Sequence, residues 1–248
     1  MEALGPAQLV FCALVVMAAF AVRGTTGFGG NAIAVPLLTL VLPIQHVVAA
    51  ITVLTIVSSL GHWLGSWRQI VWAEILRAAP FTLIGVVAGL FLFQTLDARI
   101  LTKAFGVFVI LYAIYAIATS GRMLPPPRRW LWPLAVVLCT LGGLVGTLFG
   151  GAAGPLYAIY LSALRLEKNS FRVTITTILM TQAAMRVTGY FKIGFYDTAT
   201  LLMVAAALPL MLIGARLGGL MAGRINQLLF NRIVGAVLMC SGVVLLFK

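Results

Sequence analysis

Arg23-Gly24-Thr25-Thr26-Gly27-Phe28-Gly29-Gly30-Asn31-Ala32-Ile33-Ala34-Val35-Pro36-Leu37-Leu38 is the stretch around which the chain is organised. It has an echo, Gly142-Gly143-Leu144-Val145-Gly146-Thr147-Leu148-Phe149-Gly150-Gly151-Ala152-Ala153-Gly154-Pro155-Leu156. Phe-Gly-Gly stands at 28–30 and again at 149–151, each time after an apolar run of helix length and before a Pro-Leu. Glycine and proline at this density do not continue a regular helix. Within an apolar sequence they free backbone polar groups, which a membrane tolerates only where protein or a wet cavity meets them. Paired Gly/Pro-interrupted segments at matching positions in two halves point to a substrate site. Gly29, Gly30 and Asn31, with Gly150 and Gly151, are therefore candidate binding residues. The competing reading is close helix packing through small residues.

Working outward, the 248 residues are 62% hydrophobic and 9% charged, with a mean hydropathy of +1.11. A soluble domain carries about 25% charged residues. Apolar runs of spanning length recur from end to end, so the chain reads as an all-α polytopic membrane protein. The first run, Leu9 to Val22, has neither basic residues before it nor a small-residue cleavage site, and is expected to be a retained helix. The excess of 17 Lys+Arg over 5 Asp+Glu is scattered among loop-sized gaps. The positive-inside rule and the lipid bilayer explain it, and no nucleic-acid motif is present. Cys12, Cys139 and Cys240 lie far apart in apolar runs and make no metal spacing. No metal and no cofactor is expected.

The pattern predicts eight long helices at 7–23, 46–63, 72–95, 100–119, 131–148, 172–190, 198–221 and 228–247. Two short broken or re-entrant elements, 30–43 and 151–164, follow the glycine clusters. The Pro/Arg-rich linker at 122–130 divides an N-terminal repeat, 1–121, from a C-terminal repeat, 131–248. Pro80-Phe81-Thr82-Leu83-Ile84-Gly85 matches Pro209-Leu210-Met211-Leu212-Ile213-Gly214, and Gly89 then matches Gly218 at the same offset of 129. Gly65-Ser66-Trp67-Arg68 matches Gly189-Tyr190-Phe191-Lys192 at 124, and the Phe-Gly-Gly pair sits at 121. Such slowly drifting offsets suggest a duplication.

Two topological arguments conflict. Elements of about 14 residues are short for crossings, and eight spans divide the loop cations seven against eight. Ten spans divide them eleven (Arg23, Arg68, Arg77, Arg122, Arg128, Arg129, Arg165, Lys168, Arg172, Arg224, Arg232) against four (Arg99, Lys103, Lys192, Lys248). The second count is the asymmetry a membrane protein carries. It makes the two five-element halves inverted and puts both termini outside the cytoplasm.

Glu2, Glu74, Asp97, Glu167 and Asp197 fall at helix ends or in loops, so no carboxylate is expected mid-span. That argues against a cation substrate. With no paired carboxylates and no serine–histidine arrangement, it argues against an enzyme. Arg186 is an intramembrane cation with Gln182 on the same helix face. A guanidinium in a membrane is costly unless paired or hydrated, so an anionic ligand is one partner for it. Snorkelling to the interface beside Tyr190 and Lys192 is the other reading. His62 corresponds to Arg186 at the offset of 124 and is either a further ligand or an interfacial imidazole beside Trp63. Helices starting after Gly30 and Gly151 would present free N–H groups to an anion. The aromatic residues Trp63, Trp67, Trp72, Trp130, Trp132, Tyr190 and Tyr196 read as interface anchors.

The sequence resembles the TauE/SafE family, the sulfite and organosulfonate exporters also grouped as toluene-sulfonate uptake permeases. The resemblance spans the chain. It rests on length, on the duplicated halves, on Gly27-Phe28-Gly29-Gly30 with Pro36-Leu37-Leu38, and on Phe149-Gly150-Gly151-Ala152-Ala153-Gly154-Pro155-Leu156. Pro155 follows Gly151 by four positions whereas Pro36 follows Gly30 by six, so the two sites are not identical. The resemblance implies a secondary transporter of a small inorganic or organic sulfur-containing anion, such as sulfite or sulfoacetate, in a bacterial inner membrane. A passive anion channel and a non-transporting membrane scaffold are the competing classes.

Overall fold

The computed structural model describes residues 5–26, 29–118, 130–221 and 227–247, with some side chains, His62 among them, left outside the description. Gly27, Phe28 and the linker up to Arg129 therefore lie outside the described residues. Ten helices and a short 3-10 turn at Trp67–Gln69 run through the described residues, and none of these residues is in a strand. The helices are α1 (Pro6–Thr26), α2 (Gly30–Thr39), α3 (Ile44–Ser66), α4 (Trp72–Thr95), α5 (Ala98–Ala118), α6 (Leu131–Leu148), α7 (Gly154–Ser162), α8 (Lys168–Lys192), α9 (Thr198–Met221) and α10 (Gln227–Phe247). Within α6 the stretch Ala135–Cys139 takes a π-helical turn.

Five helices, α1, α3, α4, α6 and α9, are long and apolar enough to cross a bilayer by length and composition among the described residues. The chain is thus a multi-pass membrane protein. α8 is also long, but Thr174, Thr176, Thr177, Gln182 and Arg186 make it polar, and all five are buried. A helix this polar survives in a membrane only when others sheathe it, and α3, α4 and α7 pack around it. Outward residues are apolar instead: Leu76, Val87 and Phe91 on α4, and Leu202, Leu217 and Leu220 on α9, are exposed.

The boundaries follow local chemistry. Gly29 has φ 89°, a left-handed conformation that costs glycine nothing, and it separates α1 from α2. Pro43 precedes α3 in an extended conformation and stops α2 from continuing. Pro155 sits in the first turn of α7, where its missing N–H has no helical partner to lose.

Glycines set two tight helix pairs. A Cβ at Gly214 would collide with the Met17 carbonyl, and one at Gly218 with that of Ala21. These contacts rise together along both helices, so α1 and α9 run parallel. Gly85 likewise meets the Thr140 carbonyl and Gly89 the Thr147 side chain, so α4 and α6 also run parallel. α2 starts against Ala19 and Arg23 of α1. Its end, Leu38 and Leu42, lines an apolar groove with Leu9, Cys12 and Val16 of α1 and Val47 and Ile51 of α3. α2 therefore folds back along α1, and α3 then runs beside α1 in the same direction, reaching Arg23 at Ser59.

Candidate functional site

α2, α3, α6 and α8 meet where the two glycine clusters face each other. Asn31, in the first turn of α2, is 2% exposed. Its Nδ2 donates to Thr55 Oγ1 at 2.8 Å and to the Gly150 carbonyl at 2.9 Å. One amide thus ties the first glycine cluster to the second and both to the middle of α3. Gly151 lies against that amide: a Cβ there would stand 2.6 Å from Asn31 Nδ2 and 3.1 Å from Arg186 Nη2. Asn31, Gly150, Gly151 and Arg186 are therefore brought together across 155 positions of sequence.

Arg186 is 0% exposed. Its Nη1 donates to the Gly146 carbonyl, and its Nε and Nη2 have no partner. Gln182, one turn earlier, donates from Nε2 to the Gly142 carbonyl at 2.6 Å and leaves Oε1 unpartnered. Tyr190, one turn later, donates its hydroxyl to the Thr147 carbonyl. α8 thereby follows α6 side by side through Gly142, Gly146 and Thr147, and missing side chains on α6 let the polar ones of α8 reach its backbone. Gly146 is the clearest case, since a Cβ there would occupy the Gln182 amide.

Arg23 was expected in a loop, among the cations that orient the chain. It is instead inside, 2% exposed, because α1 continues through Gly24 and Thr25 and carries Arg23 into the packed interior. Its Nη2 donates to Ser59 Oγ at 2.7 Å, and its Nε has no partner. Ser59 lies one turn after Thr55, so the same stripe of α3 hydroxyls holds Arg23 and Asn31. Two positive charges are thus enclosed. Among the described residues the ion pairs are Glu74–Arg77 and His46–Asp197, and neither Arg23 nor Arg186 takes part in one. Leaving a buried charge unpaired costs several kcal/mol.

Other candidates stand differently. No helix starts directly after Gly151. The chain turns through 149–153, with φ 67° at Gly150 and 87° at Gly151, and α7 begins at Gly154. The Gly151 N–H donates to the Gly146 carbonyl at 2.7 Å, so it closes the end of α6 and is not free for a ligand. Gly30 does begin α2, and its bare Cα lets that start rest 2.9 Å, by its absent Cβ, from Arg23 Cβ. Gly30 thus packs closely on α1 as well as opening α2. Gly29 provides the turn before it. The backbone of His62 is helical, and its side chain lies outside the described residues. Tyr190, read as an interface anchor, is fully buried beside Arg186. Arg23, Thr55, Ser59 and Tyr190 escaped the sequence reading. The spacing of Thr52, Thr55 and Ser59, three and four apart, was the available signal for the hydroxyl stripe.

The fold and this polar centre define a multi-pass membrane protein with two cations enclosed in its interior. The chain belongs to the sulfite exporter TauE/SafE family, whose family model matches residues 12–245. That family is one of membrane transporters. No curated protein and no solved structure matches the chain.

Proposed function

We propose that the protein is a secondary transporter of small sulfur-containing anions, sulfite or an organosulfonate, and that Arg186 is the principal cation of its site. One observation carries this reading: Arg186 is fully buried with Nε and Nη2 unpartnered, beside Asn31 and the Gly150–Gly151 turn. A snorkelling arginine reaches the interface, and an arginine with 0% exposure does not. The planar guanidinium offers two parallel N–H donors, the geometry that sulfite and sulfonate oxygens accept. Asn31 holds the turn in place, and the start of α2 adds the positive end of a helix dipole. Gln182 orients α8 against α6.

The two halves, 1–121 and 131–248, are an inverted repeat in this reading. Helix directions support it. α1 runs with α3, α4 runs back, and α6 runs with α4, so α6 opposes its counterpart α1. Each half also lends a helix to the other: α9 packs on α1, and α4 on α6. These glycine-locked pairs are stiff units that can rock about the central α3 and α8. Arg23, Arg186 and Asn31 are enclosed from both sides, the occluded arrangement that alternating access passes through.

Counterflow tests this. Proteoliposomes loaded with unlabelled sulfite should concentrate labelled sulfite transiently, because a carrier exchanges one for the other. Passive equilibration without overshoot would make the protein a channel, and no flux at all would leave a scaffold.

A further inference from the structure

Arg23 is a buried charge that the proposed site does not use. The Arg77 guanidinium is neutralised by Glu74, at 2.5 and 2.7 Å, and Glu74 also accepts from Tyr160. Arg172 reaches the Gly24 carbonyl at the end of α1. The groove between α1, α3 and α9 is apolar throughout and offers an anion nothing. Arg23 is different: it is 2% exposed, its Nε is unpartnered, and its hydrogen bond among the described residues goes to a neutral hydroxyl.

We propose that Arg23 and Arg186 together form a two-cation site that selects a divalent sulfur oxyanion over a monovalent one. The inference rests on the reading of Arg186 as the anion's cation and names the charge class of the substrate. The geometry places the two arginines on either side of the start of α2. Gly30 touches Arg23, and the next residue, Asn31, touches the Gly151 turn beside Arg186. A single polar strip joins them: Arg23 donates to Ser59, Ser59 donates to the Thr55 carbonyl, and Thr55 accepts from Asn31. Both guanidinium groups thus lie in one enclosed interior, joined through the adjacent residues Gly30 and Asn31. Like charges enclosed together raise the cost of each. A monovalent ligand neutralises only one of them. A dianion neutralises both, and the second charge is then worth more than it is in water, because the surroundings are of low dielectric.

Sulfite and methanesulfonate make the comparison. Both present three sulfur-bound oxygens, but methanesulfonate carries a methyl group and one charge where sulfite, in mildly alkaline buffer, carries two. Affinities are measured by titration calorimetry on purified protein at constant ionic strength. The wild type should bind sulfite at least tenfold more tightly. Arg23→Gln should lose tenfold or more for sulfite and less than threefold for methanesulfonate, closing the gap. Arg23→Lys keeps the charge and should keep most of the preference, and it stands in if Arg23→Gln does not fold. Equal losses for both anions in Arg23→Gln, or an unchanged ratio, would overturn the two-cation site. Arg186→Gln separates this from failure of the underlying reading. If it weakens both anions while Arg23→Gln leaves their ratio alone, Arg186 stands and Arg23 does not. If Arg186→Gln changes neither, both fall.

Discussion

Asn31 is neutral, and that choice matters at the residue scale. It reaches from the first glycine cluster to the second and lies beside the free edge of Arg186. A carboxylate there would pair Arg186 permanently and satisfy a charge the native chain leaves open. Asn31→Asp is nearly isosteric and should therefore abolish anion binding, with affinity falling at least tenfold. Its thermal stability without anion should fall less than that of Asn31→Ala, because the partner gained by a buried charge offsets the lost donor to the Gly150 carbonyl. Titration and thermal melting on the same preparation check both halves. An Asn31→Asp protein that binds sulfite as the wild type does would place the anion elsewhere.

Among the elements, α4 and α7 are joined by a polar latch away from the centre. Glu74, 5% exposed, accepts from Arg77 and from the Tyr160 hydroxyl. Tyr160→Phe removes one hydrogen bond to a buried charge and should destabilise the protein by roughly 1.5–3 kcal/mol. Anion affinity should not change, since neither residue reaches Arg186. Denaturation of the purified variant measures the first and titration the second. The element pattern was largely legible beforehand. The short segments expected at 30–43 and 151–164 are helices Gly30–Thr39 and Gly154–Ser162, because Gly29, Pro43 and Pro155 act locally. Arg23 was not legible for the opposite reason. The sequence puts a cation just before a glycine cluster, which reads as a loop. Only packing against α2 and α3 carries α1 past Gly24 and encloses the charge. The Gly151 turn was misread similarly. A glycine that closes one helix and a glycine that opens the next look alike until the N–H finds its acceptor, here Gly146.

For the molecule as a whole, the question is which side each end faces. α2 has ten residues, about 15 Å of helix against a hydrocarbon core of about 30 Å. Yet it returns the chain to the level where α1 began, so it does the work of a crossing. α7 returns beside α6 in the same manner: Tyr157 meets Thr82 and Gly142, and Tyr160 meets Glu74 near the start of α4. The proposed inverted repeat takes five passes per half, and burying Arg23 removes one cation from the richer side without upsetting the asymmetry. A topology reporter placed in the 122–129 linker should be active only in the cytoplasm, and one placed after Lys248 only in the periplasm. Reporters active on the same side would require an even number of passes in the second half and end the inverted-repeat account.

The proposed transport requires that the unpaired, fully enclosed Arg186 guanidinium be there for a ligand. Anion affinity of purified, folded Arg186→Gln is the most direct measurement. The account predicts sulfite binding weakened by roughly 1.5–3 kcal/mol, about ten- to 150-fold, with Arg186→Lys between it and the wild type. Sulfite affinity in Arg186→Gln equal to that of the wild type would contradict it.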